Sequence, residues 1–146
     1  MAARSLLVVV RGMILAHSFP VTKILVPVAI NQDLKALSPT VGLEVDFLAW
    51  VLRGTLNETL QRVDEAGHGT KVLRIDAWTS MAIPIPPVAE QLEIVSSIVA
   101  KLARLDALSS DGEQTIGLLK ERREALVLAA VSGEIDVRQV DREQIA

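Results

Sequence analysis

The chain has 146 residues, half of them hydrophobic, which is enough for one domain with a core of moderate size and excludes a disordered protein. It has no cysteine, which excludes disulfides and thiolate chemistry, and with two Trp, two Phe and no Tyr its core must be aliphatic. The net charge of −3 argues against a strong standalone nucleic-acid binder. Basic charge is nevertheless concentrated in the N-terminal part, because residues 1–87 hold eight Lys or Arg and seven Asp or Glu, whereas residues 88–146 hold seven Lys or Arg and eleven Asp or Glu.

The first third of the sequence predicts four short strands. Each stretch is rich in aliphatic or β-branched residues and is bounded by glycine, proline, serine or asparagine. Pro27 has no N–H to donate to a ladder, so the third strand is expected at an edge or a bulge. The predicted strands are Leu6–Val10, Met13–Phe19, Lys23–Ile30 and Leu34–Leu37.

The middle of the sequence predicts one helix and one further strand. Apolar residues recur at helical spacing from Leu43 to Val63, and the acidic, glycine-containing stretch Asp64–Gly69 then predicts a loop. Lys71–Ile75 predicts a short strand, and Ala77–Met81 predicts a single helical turn. The predicted fold class is therefore α+β, with a small twisted, mostly antiparallel sheet and one helix, followed by a long coiled-coil-forming helix.

That long helix is predicted from Pro86 to Val131. Proline is tolerated at the start of a helix, and Gly133 stands just beyond the last apolar residue, where glycine commonly ends one. Between these ends, apolar residues recur at the steps of a coiled-coil heptad. At about 1.5 Å per residue the helix would span roughly 65 Å, so a second long helix is expected to cover its apolar side. The seam residues are Val95, Ile98, Leu102, Leu105, Ile116, Leu119 and Leu126.

The middle of this seam leaves two structures open. Ser109 and Gly112 stand where large apolar residues are expected, and Ser110 with Glu113 matches a capping box. Glycine inside a helix costs about 1 kcal/mol relative to alanine. The residues alone are therefore compatible with a helical hairpin broken here and with one continuous helix.

Three stretches of the long helix and its entry resemble a known family. Ile83–Gln91, with its prolines followed by Glu90-Gln91, then Ile94-Val95 and Leu118–Leu126, closely resemble the conserved region of type I restriction–modification specificity subunits, with the same spacing. In that family the segment is one unbroken helix. The resemblance therefore favours a continuous helix over the hairpin.

The N-terminal part resembles the target recognition domain of the same family. Its landmarks are Leu7–Gly12, Ile30–Leu37, Phe47–Leu52 and Gly67–Thr70. A family member normally carries more recognition domain ahead of the first strand and then repeats the domain-plus-helix unit. The chain is therefore expected to be a fragment or a naturally short form, with part of one recognition domain.

The resemblance also implies a domain organisation and a function. Residues 1–87 would form a partial DNA-binding domain, residues 88–132 a conserved helix for dimerisation and subunit docking, and residues 133–146 a polar tail. The family's specificity subunit is not an enzyme and uses no cofactor. It reads a split site in double-stranded DNA and holds the methyltransferase and restriction subunits in place. A second hypothesis is a truncated remnant that acts only as a coiled-coil dimerisation module.

Under the family interpretation, the candidate DNA contacts lie in the N-terminal half. Arginine and lysine side chains can bind phosphates, although each could equally be an ordinary solvated charge. The loop that contains His68 and Thr70 is polar and flexible in composition, and phosphate contact there is a further hypothesis. The candidates are Arg11, Lys23, Asn31, Gln32, His68, Thr70, Lys71 and Arg74.

Asn31 and Gln32 admit two interpretations. Asparagine and glutamine can bind adenine with two hydrogen bonds in the major groove. Asn31 can instead form a local turn bond with its own backbone, and we favour that simpler interpretation.

Catalytic and metal-binding motifs are absent from the sequence. It has no phosphate-binding glycine loop, no methyltransferase Asn/Asp-Pro-Pro-aromatic motif and no nucleophile elbow. Its two histidines, His17 and His68, have no cysteine partner and no helical spacing, so no zinc site is expected. No run approaches the roughly 20 apolar residues of a membrane span, and we expect a cytoplasmic protein.

The seam predicts how the chain assembles. A full specificity subunit covers its conserved helix with a second copy in the same polypeptide, and this sequence holds one. We therefore expect a homodimer of two-fold symmetry in which the long helices pack antiparallel.

Overall fold

The computed structural model describes residues 5–135, and its internal contacts divide the chain into two units, one ending at Ile98 and one beginning at Val99. The first unit contains all five strands and the three shorter helices, and it is described first. The predicted α+β fold class is confirmed.

A three-stranded antiparallel sheet forms the base of the first unit. Strand β1 (Leu6–Val9) lies between β2 (Val21–Lys23) and β3 (Leu34–Leu37). Leu6 and Val8 are completely buried and alternate with half-buried residues, as expected of a strand with one face on the core. The predicted first and fourth strands are therefore present, and all pairing is antiparallel.

Two predicted strands are wrong. Met13–Phe19 is not a strand, because Gly12 adopts φ 142, a conformation open to glycine, and Met13–Ala16 then forms a 3-10 turn that buries Leu15. Lys23–Ile30 is not a strand either. The chain pairs over Val21–Lys23, makes one further bond from the Ile24 N–H to the Ser5 carbonyl (2.8 Å) and leaves the sheet ahead of Pro27.

A second antiparallel ribbon joins the end of β1. It consists of β4 (Val63–Glu65) and β5 (Lys71–Leu73), with Val63 opposite Leu73 and Glu65 opposite Lys71. Strand β4 corrects the prediction, because the sequence predicts the end of a helix and the start of a loop at these residues. The helical spacing of apolar residues places the end of that helix too late in the chain. Of the two strands in this ribbon, the sequence predicts only the second, as Lys71–Ile75, and it is present over Lys71–Leu73.

The predicted helix over residues 43–63 is two helices. Helix α1 (Val45–Gly54) and helix α2 (Leu56–Leu60) meet at Thr55, where the hydroxyl donates to the Val51 carbonyl at 3.0 Å. A threonine that bonds back to the preceding turn, next to a glycine, favours such a break. The predicted turn at Ala77–Met81 begins earlier, as α3 (Ile75–Thr79).

The core lies between the sheet and α1. Trp78 closes one side, with its ring 5.5 Å from that of Phe19 in an edge-to-face arrangement and its indole N–H donating to the buried Thr59 hydroxyl at 3.2 Å. The expected aliphatic core is thus completed by one aromatic pair. The other core residues are Leu6, Val8, Val10, Leu15, Val21, Val45, Leu48, Ala49, Leu52 and Leu73.

Helix α4 runs without a break from Val88 to Val131 and ends in a glycine turn. It continues through Gly112, so the hairpin alternative is wrong and the continuous helix is confirmed. After the helix, Gly133 adopts φ 82, and the Ile135 N–H donates back to the Ala129 carbonyl at 3.2 Å. Most of the predicted polar tail, residues 136–146, lies outside the described residues.

The first turn of α4 is fixed within the first unit by the buried Gln91. Its side-chain carbonyl accepts from the Glu44 N–H at 2.8 Å, at the residue that precedes α1. Its amide donates to the Gly42 carbonyl at 2.9 Å and to the Pro86 carbonyl at 2.8 Å. Gln91 therefore satisfies one donor and two acceptors and ties the loop ahead of α1 to the start of α4.

Candidate nucleic-acid interface

Four chain segments lie side by side at the end of β1. Arg11 pairs with Val72 of β5, and the Val10 N–H and Arg11 N–H both donate to the Asp33 carbonyl, at 2.8 and 3.3 Å. The Gly12 N–H donates to the Lys71 carbonyl at 2.9 Å, which extends the pairing. Because β4 lies on the other side of β5, the order across this region is β4, β5, Arg11, Asp33.

This pairing brings several predicted site residues to one face, which we call the Arg11 face. It comprises Arg11, Gln32, Asp64, Val72 and Arg74. Residues directly opposite in antiparallel pairs share a face, so Asp64, Val72 and Arg11 are aligned. A cleft of about 190 Å³ there is lined in part by Arg11, Gln32 and Val72. Arg11 is exposed and takes part in none of the ion pairs within residues 5–135.

Arg74 on this face is already paired. Its Nε lies 3.3 Å from Oδ2 of Asp64, and its terminal nitrogen donates to the Gln61 carbonyl at 3.4 Å. Both side chains of the ion pair are more than half exposed to solvent. The pair is therefore worth little in stability, and other anions can reach it.

Lys71 is also paired, on the opposite face of the ribbon. Its ammonium lies 2.7 Å from Oε2 of Glu65, the residue directly across the ribbon. The hydrogen bond from Lys71, together with its charge, lowers the pKa of Glu65. Alternation along β5 separates Lys71 from the side chain of Val72, so the two predicted cations Lys71 and Arg74 do not form one patch.

The loop between β4 and β5 presents His68 and Thr70 differently from one another. His68 is exposed and adopts φ 63, next to Gly69 at φ 78, within the 3-10 turn Gly67–Gly69. Thr70 is half-buried, and its carbonyl accepts from the Ala66 N–H at 2.7 Å, which closes the loop. Their contact with DNA stays a prediction.

Asn31 makes the local bonds of the simpler interpretation. Its side-chain carbonyl accepts from the Asp33 N–H at 3.2 Å, and its amide donates to the Asp33 carboxylate at 3.1 Å. With both ends of the amide engaged, Asn31 shapes the turn that carries Gln32. Gln32 is exposed and lies on the Arg11 face.

Lys23 lies apart from the other candidates. It pairs with Leu6, at the opposite end of β1 from Arg11, and its ammonium donates to both carboxylate oxygens of Asp46 at 2.7 and 2.9 Å. The structure thus brings Arg11 and Gln32 together at one cleft, and strand alternation places Arg74 on the same face, whereas Lys23 lies elsewhere. Sequence spacing could not separate these cations, because the separation depends on strand order.

The predicted seam residues lie along α4, and most of them are strongly exposed. Val95 and Ile98 are half-buried within the first unit. Leu105, Ile116, Leu119 and Leu126 are each at least half exposed, and Leu102 is 37% exposed. Apolar side chains outside the heptad positions, such as Leu118 and Leu128, are exposed as well.

Two residues were missed by sequence reasoning. The sequence predicts a loop at Asp64, whereas the structure shows Asp64 as the ion-pair partner of Arg74, a candidate DNA contact. The sequence identifies Gln91 only as part of the family-like motif, and its buried hydrogen bonds explain why a glutamine is needed there. A glutamine just inside a helix, after prolines, was the available signal.

The described residues hold no group of three or more histidine or acidic side chains that could bind a metal ion. Among these residues, no helix combines the length and the hydrophobicity needed to cross a membrane.

The chain is similar to specificity subunits of type I restriction enzymes. It is 27% identical over 95 residues to the EcoDI specificity subunit of Escherichia coli, and the aligned residues cover 64% of this chain and 20% of that protein. It is 30% identical over 93 residues to the EcoR124I/EcoR124II specificity subunit of Escherichia coli, and there the aligned residues cover 64% of this chain and 23% of that protein. No protein-family profile matches.

The resemblance predicted from the motifs is therefore confirmed. The chain spans between a fifth and a quarter of the length of these curated relatives.

Proposed function

We propose that the chain is a DNA-reading and scaffolding segment of a type I restriction–modification system, working in the cytoplasm. The observation that carries the proposal is its similarity to two specificity subunits over 64% of its length. Residues 1–87 act as the partial recognition domain and residues 88–132 as the docking helix. The chain itself performs no catalysis and takes no cofactor.

In this proposal the Arg11 face contacts the DNA. Arg11 carries a guanidinium that is in no ion pair within residues 5–135 and can contact a phosphate or a guanine, and Gln32 lies beside it on a turn that Asn31 stabilises. Arg74 lies on the same face but is engaged with Asp64. Within residues 5–135 the face therefore holds one cation outside the ion pairs, Arg11, which supports contact with DNA but not strong non-specific attraction.

Weak, salt-sensitive DNA binding by the isolated chain is therefore expected. Fluorescence anisotropy with a random-sequence duplex should show affinity falling as salt rises, because phosphate contacts release counterions. Arg11→Ala should flatten the slope of log K against log salt by about 0.9, the value for one phosphate contact. Lys101→Ala in α4 is the charge-matched control and should leave the slope unchanged. Tight binding at physiological salt would contradict this expectation of weak binding.

The outer face of α4 is proposed to dock the methyltransferase and restriction subunits. Leu118 and Leu128 lie outside the heptad seam and are 59% and 70% exposed, so a helix pairing through the seam leaves them uncovered.

Co-purification with a methyltransferase subunit tests this docking surface. Leu118→Asp, Leu128→Asp is expected to abolish the complex, because two carboxylates would be buried without partners. Leu25→Asp, Val26→Asp in the first unit replaces two equally exposed aliphatic residues and should retain it. Retention by both variants would rule out this surface of α4.

The alternative function is a structural remnant that only dimerises. The exposed seam of α4 and the pairing of most candidate cations with carboxylates favour it. The anisotropy experiment separates the two functions, because a remnant would give the same negligible signal for the wild type and for Arg11→Ala.

A further inference from the structure

We infer that Asp64 is a built-in competitor of DNA phosphate that lowers non-specific binding by holding Arg74. The inference rests on the proposed DNA-binding function and assigns to that face a residue that reduces affinity.

The position of Asp64 carries the first step. Asp64 lies opposite Val72, and Val72 lies opposite Arg11, so the carboxylate shares a face with the Arg11 guanidinium two strands away. Arg74, two residues beyond Val72, returns to the same face of the extended chain. An acid among the two arginines of this face opposes any polyanion that approaches it.

The geometry of the ion pair carries the second step. The Nε of Arg74 lies 3.3 Å from Oδ2 of Asp64, and one terminal nitrogen donates to the Gln61 carbonyl at 3.4 Å. A guanidinium has five N–H donors, so others are left for a phosphate. Because Asp64 is 62% exposed and Arg74 is 51% exposed, the pair can open without uncovering the core.

The consequence is that a duplex gains a contact with Arg74 only if that contact is more favourable than the ion pair with Asp64. A duplex that contacts this face must outcompete the Asp64 carboxylate for Arg74 and must also overcome repulsion from that carboxylate. A non-specific duplex gains only phosphate contacts and is held weakly. A duplex that also satisfies base contacts near Gln32 can displace the carboxylate.

The test compares the full chain with Asp64→Asn, Arg74→Ala and the double variant in anisotropy titrations on a random-sequence duplex at several salt concentrations. Asp64→Asn should bind more tightly by up to about fivefold, the upper limit set by an exposed ion pair, and its salt slope should steepen by about 0.9. In the Arg74→Ala background, Asp64→Asn should raise the affinity for DNA clearly less and should leave the salt slope no steeper than in Arg74→Ala itself. Asp106→Asn, an exposed α4 residue outside the ion pairs of residues 5–135, is the charge-matched control.

Two results would overturn the inference. If the wild type binds and Asp64→Asn gains no more than Asp106→Asn, Asp64 does not restrain binding, while the proposed function stands. If the gain persists undiminished in the double variant, Asp64 acts by general repulsion and not through Arg74. Absence of binding by the wild type and by every variant would reject the proposed function and this inference together.

Discussion

Gln91→Leu is expected to destabilise the first unit by about 3 kcal/mol. The substitution leaves the Glu44 N–H and the Gly42 and Pro86 carbonyls without their partner, and an unsatisfied buried polar group costs about 1–3 kcal/mol. A chain of this size should lose on the order of 10 °C in its melting temperature. Urea unfolding followed by tryptophan fluorescence measures the effect, since Trp50 and Trp78 both lie in the first unit.

Two further substitutions test the reason for the loss. Gln91→Glu keeps the acceptor for the Glu44 N–H but cannot donate to the two carbonyls when ionised, so it should also be destabilising. Gln114→Leu makes the same glutamine-to-leucine change at an exposed position of α4 and should alter stability by less than about 0.5 kcal/mol. If Gln91→Leu were as stable as Gln114→Leu, the three hydrogen bonds of Gln91 would not hold the helix entry.

Leu102→Asp, Leu119→Asp is expected to convert a homodimer into a monomer. Each large aliphatic side chain contributes about 1.5–3 kcal/mol when buried, and a symmetric dimer loses four of them. A loss of about 6 kcal/mol or more weakens association by more than roughly ten-thousandfold. Light scattering on the wild type and the variant measures the change. Ala107→Asp, Gln114→Asp adds two carboxylates at positions outside the seam and should remain dimeric.

Cross-linking distinguishes the antiparallel dimer from a parallel one. The chain has no cysteine, so a single introduced thiol is the only one present. In an antiparallel pair that crosses near Ser109, Ser109→Cys should oxidise to a covalent dimer, because the two Cα atoms come within disulfide range. Ile98→Cys should do so only in a parallel pair. A monomeric wild type, or cross-linking of Ile98→Cys instead, would reject the antiparallel arrangement.

Patterns of neighbouring residues predicted those elements whose structure is determined by residues close together in the sequence. The buried strand at Leu6, the exposed heptad seam and the glycine end at Gly133 follow from hydrophobic spacing and cap residues. The continuous helix through Gly112 did not follow from spacing, because a capping box and a glycine were equally compatible with a turn. The resemblance to known specificity subunits decided that point, and the structure agrees.

The errors arose where distant segments determine the structure. Met13–Ala16 has strand-like composition, but the backbone turns at Gly12 as β1 passes to the ribbon. Val63 ends a helical pattern, and Asp64 and Glu65 have the composition of a loop, but their pairing with β5 overrides these weak local preferences. Prediction of the candidate site from the sequence was limited in the same way. The sequence identified the cations, while the ion pairs that engage Lys23, Lys71 and Arg74 depend on the folded arrangement.

The strand order β2-β1-β3 leaves two open sheet edges, through which separate molecules could pair. Within residues 5–135, neither β2 nor β3 has a strand partner on its outer side, and an edge without one invites strands of other molecules to add to it. Both edges are only three or four residues long, and each carries an exposed lysine, Lys23 or Lys35. Short edges that carry a lysine are poor templates for further strands, so we expect molecules not to pair edge to edge through this sheet.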